Sequence, residues 1–246
     1  MHLSPINAES FLVRLTAMQS QKELEKIQRY FKSGEREQDI FMGVGMGEVF
    51  ALAKEFVQMS MEEIEQLLES PVHEARVGAV SIMDFQARNK KTSEIRKKEL
   101  FDLYINRHDR INNWDLVDRS APYVVGGYLF NKPRDVLYKL AISDNMWERR
   151  TAIVSTYYFI RQNDVEDTFK IAEILVHDKQ DLIHKATGGW LREAGTKDRA
   201  RLLTFLEKYA VIMPRTTLRY AIEHLEKEQK EHYLGMKNKV KTASQI

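Results

Sequence analysis

A tryptophan and an aspartate stand four residues apart in the run Asn113-Trp114-Asp115-Leu116-Val117-Asp118. Positions i and i+4 of a helix share one face, so the spacing predicts that Trp114 and Asp118 project together. A fixed carboxylate can stabilise positive charge that develops on a substrate, and it can orient an attacking water. The neighbouring aromatic face also favours positive charge. Taken alone, the pair is equally typical of a buried indole beside a surface acid.

Four short segments place a small alanine after a basic or polar residue, and these are Arg76–Ala79, Arg149–Ala152, His184–Ala186 and Arg219–Ala221. The last three alanines lie roughly 35 residues apart, which is the spacing of helix-pair repeats. If one helix of every pair lines a concave surface, its basic side chains converge there. A single basic residue more often belongs to a solvated helix face, but the series predicts a basic trough.

Helical periodicity recurs along almost the whole chain and predicts an all-α fold. We expect about a dozen helices, arranged as a curved α-solenoid in one domain over residues 1–235, with a polar, basic tail over 236–246 that frays. Helix starts are predicted at the following positions: a capping box at Ser60–Glu63, Ser70-Pro71, Asn131–Pro133, Asn163-Asp164, Asp178–Asp181 and Pro214.

Composition excludes several classes of function. The chain has 38 basic and 36 acidic residues, so net charge alone does not indicate nucleic-acid binding. The absence of cysteine excludes disulfides, thiolate metal sites and cysteine nucleophiles. The seven histidines lack paired ligand spacing, so no metal and no cofactor is expected. Residues 1–5 do not resemble a secretory signal, and no apolar stretch is long enough to span a membrane, which predicts a cytoplasmic protein.

Two further segments need an interpretation. The glycine run over residues 43–47 superficially resembles a nucleotide-binding loop, but it lacks the preceding strand that such a loop requires, so we predict a bent loop between repeats. The basic segment Arg88–Lys98 fits either a set of phosphate contacts or a solvated loop. His184 is predicted to pack or to cap a helix.

From about Phe31 to Leu225, the sequence resembles the DNA alkylation repair (AlkD-like) glycosylase family. The resemblance rests on these stretches: Trp114–Asp118 with Ala121-Pro122, Ser143–Asn145 with Trp147 and Arg150–Ile153, and Lys185–Gly188 with Leu191–Glu193. It implies a solenoid of HEAT-like repeats that releases bulky or positively charged alkylpurines from duplex DNA. It also implies a monomer without a metal, cytoplasmic and nucleoid-associated when it is bound to DNA.

The same resemblance implies roles for individual residues. Asp118 matches the family's catalytic carboxylate, and Trp114 matches its first catalytic tryptophan. Arg150 and Arg192 match the arginines that clamp DNA. Three further residues are weaker candidates for DNA binding, namely Arg149, Lys185 and Trp190.

One position departs from the family pattern. Gly189 stands where the family carries a second tryptophan, and Trp190 follows one residue later. A step of one residue rotates a side chain by about 100°, so Trp190 does not simply replace the missing ring. Adjacent Gly188 and Gly189 could loosen the turn and re-aim Trp190. Two alternatives to a glycosylase follow. Gly189 favours a non-catalytic binder of DNA structures, and the near-neutral net charge favours a protein-binding helical scaffold.

Overall fold

The computed structural model describes residues 5–30 and 39–243, and this part of the chain is all-α, as predicted. Its α-helices are α1 Ala8–Thr16, α2 Gln21–Tyr30, α3 Met46–Glu55, α4 Met61–Leu68, α5 His73–Arg88, α6 Glu94–Asn106, α7 Trp114–Ala121, α8 Asp135–Ala141, α9 Met146–Arg161, α10 Glu166–Ile174, α11 Asp181–Lys197, α12 Arg199–Tyr209, α13 Arg215–Ala221 and α14 Lys227–Ala243. A π-helix spans Pro122–Gly127 and a 3₁₀-helix spans Leu175–His177. Among the described residues, no helix is long and apolar enough to cross a membrane.

The chain divides into two compact units, Met1–Tyr128 and Leu129–Ile246. In the first unit, α5 packs against both α3 and α7. His73, at the start of α5, contacts Asp115 at the start of α7, and Ser81 further along contacts Arg119. Because the contacts advance in the same direction on both helices, α5 and α7 run parallel, as equivalent helices of successive pairs do.

The second unit repeats this arrangement with α9, α11 and α13. Arg150, near the start of α9, donates to the Leu182 carbonyl at 2.5 Å, and the Tyr157 and Trp190 rings meet about two turns later. Helix α13 also packs against α11. The three alanines of the predicted repeat, Ala152, Ala186 and Ala221, are all buried, which fits their predicted role as close-packing positions.

The predicted helix starts are confirmed in part. Helix α11 begins at Asp181, and Pro214 caps α13, as expected. Ser60 caps α4 by accepting from the Glu63 amide. The carboxylate of Glu63, however, accepts from the Ala8 amide at 2.6 Å, so it caps α1 from a distance.

Three predicted starts are wrong. Helix α5 begins at His73 instead of at Ser70-Pro71, because Ile40 pairs with Val72 and holds that stretch extended. Helix α8 begins at Asp135 rather than within Asn131–Pro133, after a turn in which Lys132 donates to the Leu129 carbonyl. Asn163 has a φ of 61° and donates to the Ile160 carbonyl. It therefore ends α9, and α10 begins only at Glu166.

Residues 43–45 of the glycine run form a bent loop, as predicted, whereas Met46 and Gly47 belong to α3. The amides of Met42, Gly43 and Val44 point at the carboxylate of buried Glu74, with the Gly43 nitrogen 2.8 Å from Oε1. Gly43 has a φ of 83°, which few other residues adopt. The donors that would hold a phosphate are therefore occupied by a side chain of the protein itself.

The single-domain boundary stays a prediction. Helix α14 includes residues 236–243, which belong to the tail that was expected to fray. Residues 244–246 and residues 1–4, on which the absence of a secretory signal was inferred, lie outside the described residues.

Candidate functional site

Helix α7 carries both residues of the tryptophan–aspartate pair. The side-chain oxygen of Asn113 accepts from the Trp114 amide at 2.7 Å and caps the helix there. Trp114 and Asp118 are both half-buried and lie one turn apart in this regular helix. The predicted common face is therefore present in the first unit.

The rotation of α7 about its axis is fixed by the residues that directly follow this pair. Asp115 approaches the His73 Nε2 with its Oδ2 at 2.7 Å, and Arg119 donates from Nε to the Ser81 hydroxyl at 3.1 Å. Both partners belong to α5. Since one residue step turns a side chain by about 100°, Trp114 and Asp118 lie on the face adjacent to the one that contacts α5. Helix α5 thus determines where the indole and the carboxylate point.

A buried charge network anchors the start of α7. His73 lies between two carboxylates, Asp115 at 2.7 Å and Asp39 at 3.2 Å, and Arg76 also bonds Asp39. Burial disfavours the imidazolium, but the two carboxylates outweigh it and raise the pKa of His73 to about 9. The pKa of Asp39 falls below its usual range, because its bonds to His73 and Arg76 outweigh its own burial. Two cations thus meet two anions inside the unit.

A second cluster anchors the end of α7. The Arg119 guanidinium lies over the rings of Phe50 and Phe85, 4.5 and 4.7 Å from their centroids. Its NH2 lies 3.2 Å from the buried Asp84 carboxylate. Burial raises the pKa of Asp84, while Arg88 and Arg119 oppose that shift. Stacking and ion pairing therefore act on the same guanidinium.

The α-helical hydrogen-bond pattern of α7 ends at Ala121, about one turn after Asp118. Pro122 has no amide hydrogen, so it cannot continue the α-helical ladder. The chain continues as the π-helix Pro122–Gly127, which packs against α5 and α6. Single-turn π-helices inside helices are frequent at functional sites.

The second unit contains the basic residues that were predicted to hold DNA. Arg150 is only 6% exposed and donates to the Leu182 carbonyl. Arg149 bonds Asp178 at 2.6 Å and also donates to the carbonyls of Ser143 and Asp144. Arg149 therefore ties the start of α9 to the loops on either side.

Helix α11 presents Lys185, Gly189 and Arg192 on one face, at positions i, i+4 and i+7. Lys185 pairs with Asp181 at 2.7 Å. Arg192 pairs with Glu193 and Glu223, and although burial acts in the opposite direction, these bonds raise the pKa of Arg192. Partly exposed ion pairs of this kind contribute little to stability.

The two adjacent glycines of α11 differ in their surroundings. A Cβ at Gly188 would lie 2.5 Å from the Thr217 carbonyl oxygen, so α13 can approach only because this residue is glycine. A Cβ at Gly189 would meet nothing within 4 Å. Helix α11 is continuous through both, so the idea that the glycines loosen the turn is wrong. Trp190 instead packs against Tyr157, with ring centroids 4.9 Å apart.

Other predicted features are also resolved. His184 lies with Nε2 2.6 Å from the Asp178 carbonyl, which fits the expected packing or capping role. In the basic segment, Arg88 stacks on Tyr123 and Arg96 donates to the Met59 carbonyl, so these two arginines serve the fold. No group of three or more potential metal ligands occurs among the described residues.

Sequence reasoning missed the residues that orient α7. His73 and Asp39 are distant in sequence from Asp118, and nothing in their local pattern marks them. A signal was present nearer by, because Asp115 and Arg119 repeat the i, i+4 spacing one position after the tryptophan–aspartate pair. Polar residues on two adjacent helix faces indicate that one of them faces protein.

A family model described as "DNA alkylation repair enzyme" matches residues 12–225. Among solved structures, a predicted DNA alkylation repair enzyme from Enterococcus faecalis has a TM-score of 0.69 and 17% sequence identity. That match covers 85% of this chain and 98% of the other, and at this identity it shows similarity of fold. No curated protein matches the sequence significantly.

Proposed function

Because the chain belongs to the DNA alkylation repair enzyme family, we propose that it is a DNA glycosylase that releases positively charged N3- or N7-alkylated purines from duplex DNA. One observation carries the proposal. Helix α7 presents an aromatic ring and a carboxylate on one face, and two contacts to α5 fix the direction of that face.

Release of an alkylated purine requires a carboxylate and an aromatic ring near the sugar, and this face of α7 carries both. Alkylation at N3 or N7 gives the purine a positive charge, so the bond from C1′ to the base breaks with its electron pair leaving on the base, which becomes neutral. The cationic sugar that remains is stabilised electrostatically by the Asp118 carboxylate. A water that Asp118 orients then attacks C1′, and its proton passes to the Asp118 carboxylate and from there to solvent. No step needs a metal or a cofactor.

The remaining residues hold the substrate. Trp114 packs its ring against the sugar of the lesion nucleotide, where an aromatic face favours positive charge. Arg192 and Lys185 contact phosphates, which fixes the position of the DNA without reading its sequence. Arg150 joins these contacts by exchanging its bond to the Leu182 carbonyl for one to a phosphate. Arg149 and Trp190 are assigned supporting roles, because Arg149 holds loops and Trp190 packs on Tyr157.

A second candidate function is binding of DNA structures without base excision. The open space at Gly189 favours it, because no ring projects from α11 at this position. This alternative keeps the phosphate contacts of Arg150 and Arg192 and predicts binding that weakens steeply with salt.

Release of 7-methylguanine from a methylated duplex separates the two functions. The wild type is compared with Asp118→Asn and with the control Asp102→Asn, which removes an exposed acid of α6 paired with Lys98. The glycosylase proposal predicts release by the wild type and the control, and loss of release in Asp118→Asn. Undiminished release by Asp118→Asn would refute the role of this carboxylate. Absence of release by the wild type, with salt-sensitive duplex binding, would favour the second function.

A further inference from the structure

The second unit contains a pocket that shares only Arg192 with the residues of the proposed function. It has a volume of about 200 Å³ and lies between α11, α12 and α13. This is the space of roughly seven water molecules, enough for a hydrated phosphate group. Gly195 shapes its floor, because a Cβ there would lie 2.3 Å from the Leu202 side chain.

The polar lining of this pocket consists of two arginines, a histidine and a threonine. Arg192, Arg199 and His224 all line it. Arg199 donates to the Gln229 amide oxygen at 2.7 Å, so this contact leaves its charge uncompensated. Two acids that adjoin lining residues in sequence, Glu193 and Glu223, are bonded to Arg192. A guanidinium next to a second guanidinium and an imidazole suits the oxygens of a phosphodiester.

An exposed tyrosine belongs to α13, the helix that contributes Ala221 to the pocket wall. Tyr220 directly precedes Ala221, which belongs to the pocket wall. Tyr220 is 38% exposed and is the one aromatic among the exposed large apolar side chains of the described residues. Its Cβ lies against Gly188, and the neighbouring position Gly189 leaves open space. A flat group can therefore approach the ring over the surface of α11.

We propose that this pocket and Tyr220 together bind one nucleotide of a DNA strand, with its phosphate between Arg199, Arg192 and His224 and its sugar or base against the Tyr220 ring. The inference rests on the proposed function only in that the chain binds DNA; it does not depend on base excision. Aromatic stacking tolerates any base, and cations near the backbone add affinity without sequence preference.

The test measures binding of a fluorescein-labelled, unmodified duplex over a series of NaCl concentrations. Arg199→Gln is expected to weaken binding about three- to tenfold and to reduce the slope of log K against log salt by roughly one. Tyr220→Ala is expected to weaken binding at least about fivefold with the slope unchanged, while Tyr220→Phe retains affinity. The matched control is Arg201→Gln, which changes an arginine of the same helix that pairs with Glu166 outside the pocket.

Several outcomes would overturn the inference. Unchanged affinity and slope in Arg199→Gln, or equal losses in Arg199→Gln and Arg201→Gln, would remove the phosphate site. Full affinity in Tyr220→Ala would remove the stacking role. Competition by free deoxyadenosine monophosphate at concentrations close to those of the duplex would assign the pocket to a mononucleotide. Normal duplex effects in a protein that releases no alkylpurine would support this site while the glycosylase proposal fails.

Discussion

Replacing Gly188 and Gly189 by alanine, one at a time, is expected to change the free energy of unfolding in opposite directions. Alanine has a helix propensity about 1 kcal/mol better than glycine, so both variants gain that amount in the folded helix. At Gly189 the new Cβ meets nothing within 4 Å, so the gain remains. We expect Gly189→Ala to raise the midpoint of thermal unfolding by about 2–4 °C.

At Gly188 the same substitution produces a collision. The new Cβ would lie 2.5 Å from the Thr217 carbonyl oxygen, 2.6 Å from the Tyr220 Cβ and 3.1 Å from the Thr217 Cα. None of these is the end of a flexible side chain, so α13 must move away from α11. Overpacking of this kind costs about 1–3 kcal/mol, and contact with backbone places it near the upper end. After the propensity gain, about 2 kcal/mol of destabilisation remains.

Urea and thermal unfolding, followed by circular dichroism at 222 nm, measure both variants against the wild type. The expected difference between the two alanine variants is about 3 kcal/mol, and the adjacent positions control for helix and length. A Gly188→Ala protein as stable as the wild type would refute the close approach of α13. A Gly189→Ala protein less stable than the wild type would refute the open surface at that position.

Two further predictions concern the first unit. In His73→Gln, the loss of stability relative to the wild type should be on the order of 3 kcal/mol near pH 6 and should diminish as pH rises toward 9. The reason is that the raised pKa of His73 stabilises the fold fully below the ordinary histidine pKa, and this contribution is lost as pH rises through about 9. Urea unfolding at several pH values measures the loss, and a loss that is independent of pH would contradict the prediction. Glu74→Ala should lower the free energy of unfolding by about 2–3 kcal/mol, because it leaves the buried amides of Gly43 and Val44 without their acceptor. Amide hydrogen exchange at these two residues should become faster. Unchanged exchange there would contradict the prediction.

Local patterns in the sequence predicted those features that depend on neighbouring residues. The i, i+4 spacing gave the common face of Trp114 and Asp118, and Pro214 marked the start of α13. The start of α5 was wrong because Ile40, far away in the chain, pairs with Val72 and delays the helix. No local rule contains that contact.

The difference between the adjacent glycines was equally hidden. In sequence, Gly188 and Gly189 are identical residues in one helix, and the resemblance to the family distinguishes them only by the missing tryptophan. Their environments differ because α13 lies against one and not the other. The role of such a position depends on the partner helix, which sequence periodicity alone does not identify.

The residues that orient the candidate site explain how a half-buried helix face can act on a charged sugar. Electrostatic stabilisation is effective when the charge is fixed before the reaction, because no free energy is then needed to reorient it. Asp115 and Arg119 each bond a side chain of α5, about one turn apart, so α7 is held against both rotation and sliding. Trp114 and Asp118 each directly precede one of these anchors, and their direction is therefore determined by buried contacts that lie outside the reacting face. If the proposed function holds, this arrangement lets the contacts to the substrate change while the Asp118 carboxylate keeps its position.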